Sequence, residues 1–169
     1  MKRKRIFQKE GFKLTYTTRE WEWYSFMRII EREHMEDLIW YGLPCLDDDW
    51  EKFLRNWMQV EGDFFVGWHD AGIAGACWVT DIEGGVGKFH LVTFPWGEHL
   101  MRNIAALAVK RILAFGLDKR HGPCYRYLIG ETPFLPVARM ARIYGLGDYE
   151  KVEGLFGEAP GYQIRINPK

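Results

Sequence analysis

The stretch GKFHLVTFPWGEHLMRNIAALAVKRILAF, residues 87–115, decides the fold. Residues 87–94 alternate as a strand does, which places Phe89, Leu91 and Thr93 on one face and His90, Val92 and Phe94 on the other. Pro95-Trp96-Gly97 ends that strand. Residues 98–115 then predict a helix, because apolar side chains recur along them at helical spacing: Met101, Ile104, Ala105, Ala108, Ile112 and Phe115. A strand predicted at 124–129 completes a strand–helix–strand unit, which implies a right-handed crossover and a parallel pair.

The rest of the chain predicts further strands and helices on both sides of this unit. Before it we expect a strand at 12–17, helices at 19–37 and from Asp47–Asp49 through Gln59, and a hairpin of strands 64–68 and 73–79. After it we expect a helix at 136–144, ended by Gly145, and strands at 149–156 and 162–166. This order predicts an α+β fold: a mixed, mostly antiparallel sheet of seven strands flanked by about four helices.

Composition narrows the class of protein. The 169 residues suit a single domain, and 47% of them are apolar, which is enough for a substantial core. A formal net charge of zero argues against nucleic acid as the main partner. The three cysteines, Cys45, Cys77 and Cys124, are too few and too far apart for a disulfide framework or a zinc site. A reducing, cytoplasmic setting fits such cysteines best. No apolar run approaches the roughly 20 residues of a membrane span.

Residues 1–10 form a basic N-terminal segment that begins with the run Lys2-Arg3-Lys4-Arg5. We interpret this segment as a frayed, flexible terminus, with a contact to nucleic acid or phosphate as the alternative.

Charge is unevenly distributed along the chain. Residues 19–63 are acidic and residues 97–126 are basic. Solvated faces explain such a pattern, and attraction of a cationic substrate and an anionic cofactor is the alternative explanation.

Near the C-terminal end, the helix bearing Ala138 runs into Tyr144-Gly145-Leu146 and then to Gly154. Asp70-Ala71-Gly72 followed by Ile73-Ala74-Gly75 forms a hairpin turn. Together with the order of elements, this pattern resembles the GNAT (general control N-acetyltransferase) superfamily across nearly the whole chain. In its high content of aromatic residues, the chain also resembles some phage and prophage proteins of this fold.

The resemblance implies a binding site for acetyl-CoA or CoA between two central strands that splay apart. It implies that the main chain of Leu91, Val92, Thr93 and Phe94 binds the pantetheine arm as an added strand would. It also implies an anion-binding loop and helix start that comprise Trp96, Gly97, His99 and Arg102.

Acetyl transfer to an amine requires a base near the splayed strands. The candidates are His90 on the strand and Glu98 after it, with His99 beside them. A core histidine at position 90 and a helix-start residue at Glu98 are the structural alternatives.

Three departures from the family pattern support a second hypothesis. The anion-binding loop has only one glycine, Gly97. Ala141 stands where many members have a Tyr that acts as the general acid. Phe134 lies near the position of the Asn that often opens the last helix. Two functions therefore stay open: an acyltransferase that moves an acetyl group from acetyl-CoA to a small-molecule or protein amine, and a catalytically degenerate GNAT-fold binding or structural module of phage or prophage type. The acidic early helices suggest a cationic amine, and the aromatic content suggests a homodimer.

Overall fold

A computed structural model describes residues 4–9, 11–16, 20–35, 64–70, 72–115 and 125–167. The strands are β1 (Lys4–Lys9), β2 (Phe12–Tyr16), β3 (Phe64–His69), β4 (Gly72–Glu83), β5 (Val86–Thr93), β6 (Tyr127–Thr132), β7 (Asp148–Phe156) and β8 (Ala159–Ile166). The helices are α1 (Glu20–Arg32), α2 (Glu98–Phe115) and α3 (Leu135–Ile143), and a single 3₁₀ turn (Pro95–Gly97) precedes α2.

All the described strands form one mixed sheet in the order β1-β2-β3-β4-β5-β6-β8-β7. Every neighbouring pair among them is antiparallel except β5 and β6, which are parallel and are connected through α2. The predicted fold class, a mixed and mostly antiparallel sheet with helices packed on it, is confirmed. The described part of the sheet has one strand more than the seven expected, because the basic N-terminal segment contributes β1.

Residues 4–9 of the basic N-terminal segment form strand β1, and the predicted flexibility of this segment stays a prediction. β1 pairs antiparallel with β2 from Lys4 opposite Tyr16 to Lys9 opposite Phe12. Gly11 adopts a φ of 73° in the turn between the two strands, a conformation that side chains disfavour and that lets the chain reverse tightly. β1 therefore satisfies the outer edge of β2, and the basic residues form an edge strand of the sheet.

Helix α1 covers one face of the central strands. Phe26, Met27 and Ile30 recur at helical spacing and are buried in a cluster with side chains of β3, β4 and β5: Val66, Ile73, Ala76, Trp78 and Val92. The α1 face of the sheet is therefore the face on which alternate side chains of β5, beginning with Lys88 and His90, also lie.

Helices α2 and α3 cover the opposite face. Ala108, Ile112 and Ala138 are fully buried there against Phe89, Leu128 and their neighbours. Small alanine side chains let the helices approach the strands closely. Helix α3 ends as predicted at Gly145 (φ 66°), whose N–H donates to the Arg142 carbonyl while the Leu146 N–H donates to the Ala141 carbonyl.

One predicted strand begins later than expected, and one predicted helix lies outside the described residues. The strand predicted at 124–129 is β6, which begins later, at Tyr127, and extends through the polar residues Glu131 and Thr132. The second early helix, predicted to run through Gln59, lies outside the described residues, as do Cys45, Cys124 and Gly116.

Candidate functional site

The parallel strands β5 and β6 separate before either of them ends. Their pairing runs from Val86 opposite Tyr127 to Phe89 opposite Gly130 and stops there. β5 continues to Thr93, still paired with β4, and β6 continues to Thr132, still paired with β8. An opening therefore forms in the middle of the sheet, at the carboxyl ends of both strands.

The register determines which main-chain groups face this opening. The Phe94 N–H donates to the Ala74 carbonyl at 3.0 Å, so Phe94 directs its N–H toward β4. Hydrogen-bonded and non-hydrogen-bonded pairs alternate along antiparallel strands, so Val92, opposite Ala76, is also bonded to β4. Leu91 and Thr93 direct their N–H and C=O groups to the other edge of β5, toward the opening. These are two of the four residues predicted to bind a pantetheine arm, and the other two, Val92 and Phe94, direct their N–H groups toward β4. The predicted contacts with the arm stay predictions.

Thr93 also places an unusual side chain beside the opening. Within the part of the chain that the structure describes, its hydroxyl oxygen Oγ1 is buried and has no hydrogen-bond partner. A buried hydroxyl without a partner costs free energy relative to a satisfied one.

The turn between β5 and α2 is held against β4. The indole N–H of Trp96 donates to the Ile73 carbonyl at 2.8 Å, and the Trp96 ring stacks on Phe94 with centroids 4.8 Å apart. Gly97 is buried so close to β4 that a Cβ atom there would overlap the Ala74 carbonyl oxygen. Both residues therefore have a structural explanation, whatever ligand contacts they make.

Helix α2 begins directly after this turn, at Glu98. Its first turn follows the carboxyl end of β5, so the free N–H groups of the helix start lie at the wide end of the opening. The side chains of Glu98, His99 and Arg102 lie outside the described part of the structure, so their predicted roles stay predictions.

His90, the other predicted base, lies on the α1 face of β5. Its ring stacks almost parallel on Trp78, with centroids 5.3 Å apart and an interplanar angle of 10°. The side chain is partly buried, and whether it acts as a base or is a core histidine stays open.

An ion pair at the start of the opening was missed by sequence reasoning. Lys88 Nζ lies 2.7 Å from Glu131 Oε2, and Gln163 Nε2 donates to Glu131 Oε1 at 3.3 Å. The signal was present in part, since β5 carries one cationic residue, Lys88, and β6 carries one acidic residue, Glu131. Pairing them requires the register between β5 and β6, which sequence does not provide.

The start of α3 lies beside the carboxyl end of β6. Phe134, the residue before the helix, is 55% exposed, and Val137 one turn later is also exposed. Ala141, at the position where the resembled family has an acidic Tyr, is buried in the core. The exposed side chains of Phe134 and Val137 thus border the opening on the face of the sheet that α2 and α3 cover.

The described residues contain no group of three or more His, Cys, Asp or Glu side chains arranged to hold a metal ion. No helix among them is long and apolar enough to cross a membrane.

Comparison with known proteins shows similarity in structure only. No family model matches the sequence, and no curated protein matches it. The ribosomal L7/L12 alpha-N-protein acetyltransferase RimL, solved with coenzyme A, superposes with a TM-score of 0.67 at 10% identity, covering 98% of each chain. A probable GNAT-family acetyltransferase from Chromobacterium violaceum gives 0.67 at 15% identity, over 96% of this chain and 90% of the other.

The spermidine N-acetyltransferase from Vibrio cholerae, in complex with CoA and spermine, gives a TM-score of 0.65 at 12% identity, over 93% of this chain and 95% of the other. These similarities show that the chain has the fold of GNAT-family acetyltransferases.

Proposed function

We propose that this protein is an acyltransferase that moves an acetyl group from acetyl-CoA to the amine of a small molecule or protein. The observation that carries the proposal is the early end of β5–β6 pairing at Phe89 and Gly130. It leaves the main chain of Leu91 and Thr93 directed into an opening, where an extended ligand can bind as a strand does. The solved neighbours that bind CoA have the same fold.

The chain offers matching groups to each part of a CoA thioester. Leu91 and Thr93 present main-chain donors and acceptors to the amides of the pantetheine arm, and Thr93 Oγ1 adds a buried hydroxyl. Phe134 and Val137 present exposed apolar surface to its alkyl segments. The start of α2 offers free N–H groups and the positive end of the helix dipole to the pyrophosphate.

The transfer itself joins the amine nitrogen to the acetyl carbonyl carbon and breaks the carbon–sulfur bond, so that CoA leaves with its thiol. A main-chain N–H of β5 polarises the carbonyl oxygen, and the opening holds the two reactants together. The amine must also lose a proton. His90, on the α1 face, and Glu98, at the start of α2, are the proposed bases.

One observation favours a catalytically degenerate module of the same fold, of phage or prophage type, as a second candidate. Ala141 is only 8% exposed and supplies no hydroxyl where an acid would protonate the departing sulfur. Tyr144, three residues after Ala141 at the C-terminal end of α3, has a hydroxyl but does not occupy that position, and it is partly buried.

Thermal unfolding with and without CoA tests the binding step. A ligand that binds only the folded chain at about 100 times its Kd stabilises by about 2.7 kcal/mol, which corresponds to a rise in Tm of several degrees. Pantetheine alone should give a smaller rise, since it lacks the pyrophosphate. No rise with saturating CoA would contradict the acyltransferase and favour the degenerate module.

Release of free thiol from acetyl-CoA in the presence of a panel of amines then separates the two candidates. An amine-dependent release supports the acyltransferase, and CoA binding without release supports the degenerate module. The cytoplasm is the proposed setting, where Cys77 would remain a buried free thiol.

A further inference from the structure

The Lys88–Glu131 ion pair lies where β5 and β6 part. Lys88 directly precedes Phe89 and Glu131 directly follows Gly130, the last two residues that pair. Both side chains lie on the α1 face, because they alternate with Phe89 and Leu128, which are buried on the opposite face. The pair therefore borders the opening on the side away from α2, α3 and the proposed thioester site.

The two charges are held differently. The Glu131 carboxylate is 17% exposed, and its second oxygen accepts a hydrogen bond from Gln163 of β8, so two strands fix its position. Lys88 is 38% exposed and reaches the carboxylate with a primary ammonium at the end of a flexible stem. A mostly buried carboxylate is costly to leave unpaired, whereas the long stem of lysine lets its ammonium reach water.

The Glu131 carboxylate is thus an anionic group in a fixed position, and the Lys88 ammonium is bound to it. An alkylammonium from solution presents the same three N–H donors to Glu131 as Lys88 does. It would also arrive from the α1 face, opposite the side proposed for the thioester, so that the two reactants would meet in the opening.

We propose that Glu131 is the acceptor-binding residue: it receives the ammonium of a primary alkylamine in exchange for Lys88. The bound ammonium then gives a proton to the proposed base, His90 or Glu98, before its nitrogen attacks the acetyl carbonyl. This inference rests on the proposed acyltransferase function and specifies the class of its acceptor. Lys88 is then an internal competitor that keeps the carboxylate paired when no acceptor is bound. Gln163 is a positioning residue, since it acts only through the carboxylate.

Calorimetric titration of the full chain with diaminobutane, in the absence of CoA, tests this exchange. We expect Glu131→Gln to weaken binding by roughly tenfold or more, because the neutral amide loses the charge attraction. Lys88→Met keeps the stem and removes the competing ammonium, so binding should tighten about threefold or more. Butanediol, which has the same length without the charge, should not bind.

The matched control is Glu150→Gln. Glu150 is an exposed acid on β7 that lies opposite Gln163 in the sheet, so the same substitution there should leave the affinity for diaminobutane unchanged. If Glu131→Gln does not fold, Glu131→Asp withdraws the carboxylate by one methylene with its charge retained, and should weaken binding by an intermediate amount. The Tm shift with CoA should be the same in all folded variants.

Several results would overturn the inference: no binding of diaminobutane to the wild type, equal affinity of Glu131→Gln and the wild type, or weaker binding by Lys88→Met. Failure of the proposed function looks different, since it appears as a missing CoA shift and no thiol release while amine binding persists. During turnover, the expected signature of Glu131→Gln is a raised KM for the amine with a smaller change in kcat.

Discussion

The two edges of strand β5 differ although they belong to the same residues. On one edge β5 pairs with β4 from Val86 to Thr93, with a register shift between Val86 and Lys88, and Phe94 extends the contact by donating to Ala74. On the other edge it pairs with β6 only from Val86 to Phe89. We call the edge toward β4 the closed edge and the edge toward the opening the open edge.

The contacts on the edge toward β4 hold the strand in place, and the main-chain groups on the other edge remain available to a ligand. The turn at Trp96 and Gly97 belongs to the closed edge, because its indole N–H and its glycine both contact β4. Leu91 and Thr93 belong to the open edge. Changes on the closed edge should therefore reduce stability first, and changes on the open edge should reduce ligand affinity first.

Proline substitutions should separate the two edges most strongly. Val92→Pro removes an N–H bonded to β4 and leaves the buried Ala76 carbonyl without its donor, so the free energy of unfolding should fall by about 3 kcal/mol. Leu91→Pro removes an N–H that β4 does not use, and should cost less stability but most of the affinity for CoA. Urea unfolding followed by tryptophan fluorescence measures the first effect and calorimetry the second. Equal losses of stability would mean that the two edges are not distinct.

A glycine-to-alanine pair gives the next largest effect. Gly97→Ala places a Cβ atom against the Ala74 carbonyl, and should reduce the free energy of unfolding by about 2 kcal/mol. Gly130→Ala is the matched control, since its Cβ would lie 3.8 Å from Ile164, an ordinary contact distance. That control should change stability by less than about 0.5 kcal/mol. A tolerated Gly97→Ala would show that the turn is not pressed against β4.

Trp96→Phe tests the same turn more gently. Phenylalanine retains an aromatic ring to stack on Phe94 but loses the 2.8 Å hydrogen bond to the Ile73 carbonyl. We expect a loss of about 1 kcal/mol in the free energy of unfolding, measured by urea unfolding. An unchanged value would remove Trp96 from the contacts that hold the closed edge.

The smallest effect on stability is expected on the open edge. Thr93→Val removes a buried hydroxyl that has no partner among the described residues, so stability should stay the same or rise by up to about 1 kcal/mol. Affinity for CoA should fall about fivefold, the contribution of one hydrogen bond. Thr132→Val is the control, because Thr132 Oγ1 accepts from the Phe134 N–H at 3.2 Å, and that change should destabilise. If Thr93→Val destabilises as much, its hydroxyl is satisfied within the protein.

Much of the fold follows from periodicity in the sequence. Helix α2 was predicted at 98–115 and has those bounds, because its apolar stripe is long and Pro95 and Gly97 delimit its start. β6 was displaced in the prediction because its second half contains Glu131 and Thr132. Polar residues lower a strand signal, yet here they pair with β8 and one of them is fully buried.

The site was harder to predict because it depends on register. The pattern of residues 87–94 indicates a strand, but a shift of one residue would turn Leu91 and Thr93 away from the opening. The point where β5 and β6 part is set by packing of both strands against other elements. For the same reason the contact between Lys88 and Glu131 could not be inferred from the sequence.

Amide hydrogen exchange at Leu91, Val92 and Thr93, followed by NMR with and without CoA, measures whether CoA binds along the open edge of β5. Without CoA, the Val92 amide should exchange slowly, because it is bonded to β4, and the Leu91 and Thr93 amides should exchange faster. Saturating CoA should slow Leu91 and Thr93 and leave Val92 as it was. Three slow amides in the free protein, or fast exchange at Leu91 and Thr93 with CoA bound, would contradict the account.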